Sequence, residues 1–272
     1  MEKGIGILDQ LCESDFGKFL LKNKGLNGFW TQYVILHPYK GRITNRNQVG
    51  KPISEMEKFL LNKSPQFLAT QERFVIFQKF LRDYIKSNMT VASIPCGLLD
   101  DLLTLRVENL RHVEVVGIDL DLSSLEHAVW NYQTLSSEPT YNNFTIKTEQ
   151  KDAFNLESEN RFDLITSNGL NIYVYDDDSV IDLYKEFYKA LKPDGYLLTS
   201  HVVYPPHEFD DEDFEYANTI FHEIIDCQWK SRSVEACVSQ FFAAGFDVQQ
   251  IEFDSRQLYP TFLCKKRGIE NV

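Results

Sequence analysis

From residue 90 onward the chain alternates short β-branched runs with amphipathic helical stretches, and no other feature restricts its fold as strongly. Strands are expected at 90–94, 113–118, 144–146, 162–166 and 196–201, with helices at 98–105, 122–132 and 179–191. Two parallel strands need a crossover long enough to carry a covering helix, whereas antiparallel neighbours need only a turn. The alternation therefore predicts an α/β fold built on a doubly wound, mostly parallel sheet.

Both ends of the chain depart from this rhythm. Near the C-terminus a helix over 234–244 ends at Gly245, and strands over 246–253 and 258–264 follow with a short turn between them. That spacing makes them antiparallel, so the sheet ends with a reversed last strand. Ahead of the first strand, Phe74, Phe77, Phe80, Leu81, Tyr84 and Ile85 recur at three- and four-residue spacing and predict a helix over about 68–87. Residues 1–66 read as a helical N-terminal extension or cap, closed by the turn Asn62-Lys63-Ser64-Pro65, and 67–272 as the main domain. An insertion at about 202–229 holds Pro205, Pro206 and the acidic run 208–213. It follows the carboxyl end of a strand, where open α/β sheets bind ligands, and reads as a substrate lid.

Charge and cysteine content narrow the partners. The net charge of −12 is unevenly placed: residues 1–90 carry 14 Lys and Arg against 8 Asp and Glu, and residues 91–272 carry 14 against 32. An acidic main domain repels bulk nucleic acid, which puts a small-molecule acceptor ahead of a protein or a nucleic acid. No apolar run approaches the roughly 20 residues that span a bilayer, and Met1 to Gln10 lacks the pattern of a signal peptide, so no membrane contact and a cytoplasmic location are expected. Five cysteines, none in a CxxC pair, predict neither disulfides nor a zinc site.

In an open α/β sheet the ligand lies across the carboxyl ends of the strands, so the residues following each strand are the candidate site. After the first strand comes Ser93-Ile94-Pro95-Cys96-Gly97, where Pro95, Cys96 and Gly97 form a turn that a ligand can approach closely. Asp100 and Asp101 follow at the start of a helix, where they either cap free N–H groups or face the ligand. A dinucleotide needs that helix end for its diphosphate, and two carboxylates repel it; a cationic nucleoside is tolerated. After the second strand, Asp119 is placed to accept ribose hydroxyls, with Leu120 beside it and Asp121 capping the next helix. After the third, Asp152, Ala153 and Phe154 suit an adenine edge and face. After the fourth, Ser167, Asn168 and Gly169 line the expected reaction cleft.

Taken together these segments resemble the class I S-adenosylmethionine-dependent methyltransferases, over about residues 68–267. The resemblance rests on the turn at Gly97, Gly117-Ile118-Asp119, Asp152-Ala153, Phe162-Asp163-Leu164-Ile165, Leu191-Lys192-Pro193-Asp194-Gly195-Tyr196 and Ala244-Gly245-Phe246. It departs from the family at Ser93, Pro95, Leu98 and Leu99, where an acidic residue and further glycines are usual. The resemblance implies seven strands with the last antiparallel, S-adenosyl-L-methionine as cofactor with S-adenosyl-L-homocysteine as product, and methyl transfer to an acceptor the sequence does not name. It also implies that Gln71 and Arg73, on the helix before the first strand, contact the cofactor carboxylate. Should the acceptor have to lose a proton, Tyr173, His201 and Tyr204 are the candidate bases, with His207 further along the lid. Two other readings stay open at this point: a module that binds the cofactor without turnover, and an NAD-dependent oxidoreductase, favoured by Asp119 and opposed by Asp100-Asp101.

Overall fold

Apolar runs that are buried on both faces make central strands, and those flanked by helices here do so in the expected order. The structure is a computed structural model describing residues 2–107, 110–136, 144–205 and 212–268. Helices α1 (Glu2–Cys12), α2 (Asp15–Asn23), α3 (Gly28–Leu36), α4 (Gly41–Thr44), α5 (Glu55–Asn62) and α6 (Pro65–Tyr84) precede β1 (Thr90–Ser93). Then follow α7 (Asp100–Leu103), β2 (Val113–Asp119), α8 (Leu122–Ser136), β3 (Phe144–Gln150), β4 (Phe162–Asn168), α9 (Asp177–Ala190) and β5 (Leu191–Ser200). The chain continues with α10 (Glu212–Asn218), α11 (Val234–Ala243), β6 (Phe246–Glu252) and β7 (Thr261–Lys266).

The sheet has seven strands in the order β3-β2-β1-β4-β5-β7-β6. Strands β1 to β5 pair in parallel, and β7 runs antiparallel to both β5 and β6. Helices α9 and α11 cover one face, where Val180, Leu183, Tyr184, Phe187 and Phe241 are buried on the sheet. On the other face α6, α7 and α8 contribute Phe77, Leu81, Leu103 and Leu125. Each such buried side chain contributes roughly 1.5–3 kcal/mol relative to exposure, before chain entropy is counted.

Three local departures from the expected elements have physical causes. The helix predicted over 98–105 shortens to α7 because Gly97 and Leu99 both adopt left-handed φ angles, 48° and 60°, and no α-helix starts through them. β5 begins at Leu191 rather than 196: Phe162 pairs with Leu191 and Leu164 with Tyr196, so 192–195 bulge out of the ladder. The link between β6 and β7 is longer than a tight turn, because the Asp254 carboxylate accepts from the backbone N–H groups of Arg256, Leu258 and Tyr259 and organises a loop.

Over the carboxyl edge of the sheet sits a helical roof. Phe16, Trp30, Tyr33, Leu60 and Phe67 from α2, α3, α5 and α6 pack with Ile220, Phe221 and Ile225, so residues 1–66 and the second half of the insertion share one core. The π-helical run Thr219–Ile224 is part of it. Gln66 Nε2 donates to Asn218 Oδ1 at 2.8 Å, and Lys24 pairs with Asp226. Pro206, His207 and the run 208–211 lie outside the described residues.

The roof helix α5 starts with a reciprocal cap: Glu57 N–H donates to Ser54 Oγ at 3.2 Å while Ser54 N–H donates to Glu57 Oε2 at 2.9 Å. Ser54→Ala is expected to lower unfolding stability by about 1 kcal/mol. A urea midpoint identical to wild type refutes that weight for the cap.

Candidate active site

A crevice of about 330 Å³ separates the roof from the ends of β1, β2 and β4. Its floor is the turn after β1, and there the roof comes closest: a Cβ built on Gly28 lies 3.0 Å from Gly97 Cα, 2.7 Å from Leu98 Cδ1 and 2.9 Å from Ser124 Oγ. Only glycine lets the first turn of α3 rest on the β1 turn at this distance. Asn27 caps that helix, its side chain accepting from Trp30 N–H at 3.1 Å.

One end of the crevice is acidic. Asp100, Asp101, Asp119 and Asp121 line it, and none lies within ion-pair distance of a cation among the described residues. Asp119 Oδ2 accepts from Gly97 N–H and Oδ1 from Asp121 N–H, each at 3.0 Å, which ties the ends of β1 and β2 together. Burial holds its carboxyl above the ordinary range despite those two bonds. Asp100 Oδ1 accepts from Gln32 Nε2 at 2.7 Å and Asn131 Nδ2 at 3.3 Å, so it latches α3 to α8 instead of merely capping α7. Burial pushes Asp100 up to about 7 and Asp101 up to about 6. Asp121 does cap α8, accepting from Ser123 N–H at 3.1 Å and Ser124 Oγ at 2.8 Å.

The other end is apolar, lined by Phe67, Tyr173, Phe221, Trp229 and Tyr259, with Arg73 as the one cation among the described lining residues. Phe67 and Phe221 pack tilted at 5.1 Å between ring centroids, and Phe221 meets Trp229 edge-on at 6.1 Å. Arg73 is 7% exposed and its guanidinium lies 4.8 Å from the Tyr259 ring centroid. It is not a surface residue of α6.

The residues expected from the sequence divide into three groups. Pro95, Cys96, Gly97, Asp119, Asn168, Gly169, Arg73 and Tyr173 line the crevice together. Leu120, Asp152, Ala153 and Phe154 stand at the same sheet edge but outside its enclosed part: Asp152 Oδ1 accepts from Phe154 N–H at 3.0 Å, Ala153 packs into the core, and Leu120 is exposed. Ser167, Gln71, His201 and Tyr204 are not brought to it. Ser167 is buried, and Gln71 Nε2 is turned to the carbonyl of Leu61 at 3.0 Å. Tyr204 is exposed.

His201 requires a correction as a candidate base. It is fully buried, and its Nε2 shares a 2.6 Å hydrogen bond with the Tyr184 hydroxyl, which also accepts from Asn171 Nδ2 at 2.8 Å. Burial, with Arg232 as the second cause, depresses its pKa to about 3, so the ring stays neutral and has no route to a reacting proton. His207 lies outside the described residues.

Sequence reasoning missed the roof residues Gly28, Thr31, Phe221 and Trp229, and the loop residue Tyr259. Gly28 follows Asn27 immediately before an aromatic stretch, a turn signal that was legible; the others reach the crevice only through tertiary packing.

A family model for a methyltransferase domain matches residues 85–260. The chain belongs to that methyltransferase family. The class I sheet order, with β7 reversed, agrees with this assignment, and S-adenosylmethionine is the cofactor that goes with it. Among solved structures, one described as a possible exported protein from Bordetella parapertussis shares 32% identity over 97% of this chain and 87% of its own, with a TM-score of 0.86. Magnesium protoporphyrin IX methyltransferase from Synechocystis PCC 6803 with bound S-adenosylhomocysteine aligns at 12% identity over 85% of this chain and 97% of its own, TM-score 0.57. The [4+2]-cyclase SpnF aligns at 14% identity over 75% and 83%, TM-score 0.53. The last two share the fold. No curated protein sequence matches the chain. No helix among the described residues is long and apolar enough to cross a membrane.

Proposed function

We propose that this methyltransferase binds S-adenosylmethionine at the acidic end of the crevice and transfers its methyl group to a small acceptor held at the aromatic end. The observation that carries this reading is the group of carboxylates around Gly97, Asp100 buried and Asp101 and Asp119 half-buried, with no cation within ion-pair distance among the described residues. A buried charge costs several kcal/mol unless it is paired, so such a floor suits a positively charged ligand and rejects a diphosphate.

In this reading Asp119 accepts the ribose hydroxyls, and Pro95, Cys96 and Gly97 meet the amino-acid arm. Leu120, Asp152, Ala153 and Phe154 form an open slot for the adenine at the end of β3. Asn168 and Gly169 separate donor from acceptor, with Ser167 supporting them from the core. When bound, the cofactor supplies a methyl group on a sulfonium, a good leaving group. The protein's own task is then to align the two partners and exclude water, which contributes much of the rate in such reactions. The roof performs the exclusion, and Tyr173 is the candidate of the original three that stands at the acceptor.

Calorimetric titration with S-adenosylmethionine, S-adenosylhomocysteine and NAD tests the cofactor. The first two should bind and NAD should not. NAD binding alone supports the oxidoreductase reading, and binding of the first two without methyl transfer across an acceptor panel supports a non-catalytic module.

A further inference from the structure

A second cavity, of about 280 Å³, opens on the far side of α3. Gly28, Thr31 and Ile35 of that helix line the crevice, while Tyr33 and Leu36, with His37 just after them, line the second cavity. The loop 46–51 forms another wall and is held by its own bonds. Asn47 Oδ1 accepts from the N–H groups of Val49 and Lys51 at 3.2 and 2.9 Å, and Asn47 Nδ2 reaches Glu57 Oε1 on α5 at 3.4 Å.

The polar groups of this cavity differ between rim and interior. At the exposed rim stand Lys40, Thr44 and Arg46; neither cation pairs with a carboxylate of the described residues, and no acidic side chain is among the described lining residues. Inside is a bare acceptor. His37 is 1% exposed, and its Nε2 lies 3.1 Å from Asn62 Oδ1, an oxygen that also accepts from Arg42 Nε, so Nε2 carries the ring proton. Burial lowers the His37 pKa against the effect of that bond, which keeps the ring neutral and leaves the buried Nδ1 as an acceptor without a partner. A Cβ on Gly41 would lie 2.5 Å from this Nδ1 and 3.4 Å from the Arg46 carbonyl oxygen, so glycine leaves the space between two acceptors open. Cations at the rim suit a phosphate, and paired acceptors inside suit a hydroxyl; an ammonium group is disfavoured by Lys40, Arg42 and Arg46.

The cavity wall is also joined to the floor of the crevice. Gln48 Nε2 donates to Gln32 Oε1 at 2.5 Å, and Gln32 Nε2 donates to Asp100 Oδ1 at 2.7 Å. Gln48 lines the cavity and Asp100 lines the crevice. An amide that accepts at its oxygen presents its N–H groups in a fixed direction, so holding Gln48 in place also holds the Gln32 donor on Asp100.

We propose that this cavity is a second ligand site, for a small phosphate ester bearing a hydroxyl, and that its occupant tightens cofactor binding through Gln48, Gln32 and Asp100. The site is independent of the methyl-transfer reading; its coupling rests on that reading, because it needs a cationic cofactor on the acidic floor. The added negative charge and the fixed Gln32 donor both favour a cation there, and the effect is reciprocal by linkage.

The test titrates glycerol 3-phosphate and ribose 5-phosphate, beside glycerol, ribose and propyl phosphate, into the protein with and without saturating S-adenosylmethionine. At least one hydroxylated ester should bind more than about tenfold more tightly than its unphosphorylated parent and more tightly than propyl phosphate. The double variant Lys40→Met, Arg46→Met should lose that binding with its thermal unfolding unchanged, since both side chains are exposed. S-adenosylmethionine should bind at least about fivefold more tightly with the ester present, and Gln48→Met should keep the ester and lose this gain. Esters that bind no better than their parents, or that bind the double variant as well as wild type, overturn the site. Equal S-adenosylmethionine affinity with and without bound ester, or a gain that survives Gln48→Met, overturns the coupling. Wild type that binds the ester but no S-adenosylmethionine refutes the methyl-transfer reading and the coupling with it, and leaves the site supported. Sedimentation with phosphatidylglycerol vesicles but not with phosphatidylcholine vesicles, lost in the double variant, assigns the phosphate to a lipid headgroup; without it the phosphate belongs to a soluble ester.

Discussion

Asp119→Ala should weaken S-adenosylmethionine binding by more than about tenfold, a loss of at least about 1.4 kcal/mol. Two effects add in the same direction. The ribose loses its carboxylate acceptor, and the N–H groups of Gly97 and Asp121, both bonded to Asp119 at 3.0 Å, lose the partner that ties the two strand ends together. Asp119→Asn separates the two, since it keeps an acceptor oxygen for the turn while discarding the charge; its affinity should fall between those of wild type and the alanine variant. A dissociation constant for Asp119→Ala equal to wild type removes Asp119 from the cofactor site.

The second large effect is on pH. Because burial holds Asp100 up to about 7 and Asp101 up to about 6, both carry protons in the free protein on the acid side of neutrality. A cationic ligand favours their ionised forms, so binding depresses both values and releases protons. S-adenosylmethionine affinity should therefore rise by about tenfold between pH 5.5 and 8, one pKa unit of depression being a factor of ten, and level off above that. S-adenosylhomocysteine, which lacks the sulfonium charge, should show a smaller slope. Equal slopes for the two ligands, or none, contradict an ionisable floor. Stability of the free protein runs the other way. The unfolded chain releases the Asp100 proton near 3.8 while the folded chain holds it to about 7, so this contribution is present below about 4 and is lost as pH rises through 7.

The sheet was legible because its signal is local. Runs such as 113–118 and 162–166 are, beyond Glu114 and Asp163 at their starts, buried on both faces, the mark of a helix-covered parallel strand. Gly97 and Asp119 were legible for a related reason: the fold fixes where a strand's carboxyl end points, so the residue after each strand is on the ligand edge by topology. His201 shows where that logic stops. It follows β5 as Asp119 ends β2, yet Tyr184 and Phe241 from the helices behind the sheet enclose it, and nothing within a few residues of position 201 records that. The exposure of Arg73 was equally illegible, since the side chains that bury it come from the ends of β5 and the β6–β7 loop.

The roof is made from two stretches separated by about 150 residues of sheet, with Phe16, Trp30 and Phe67 on one side of the gap and Ile220, Phe221 and Ile225 on the other. A ribosome delivers the first stretch long before the second exists. The N-terminal helices must therefore wait with their aromatic faces incompletely covered until residues 219–229 emerge, and the active chamber is among the last parts of the molecule to close.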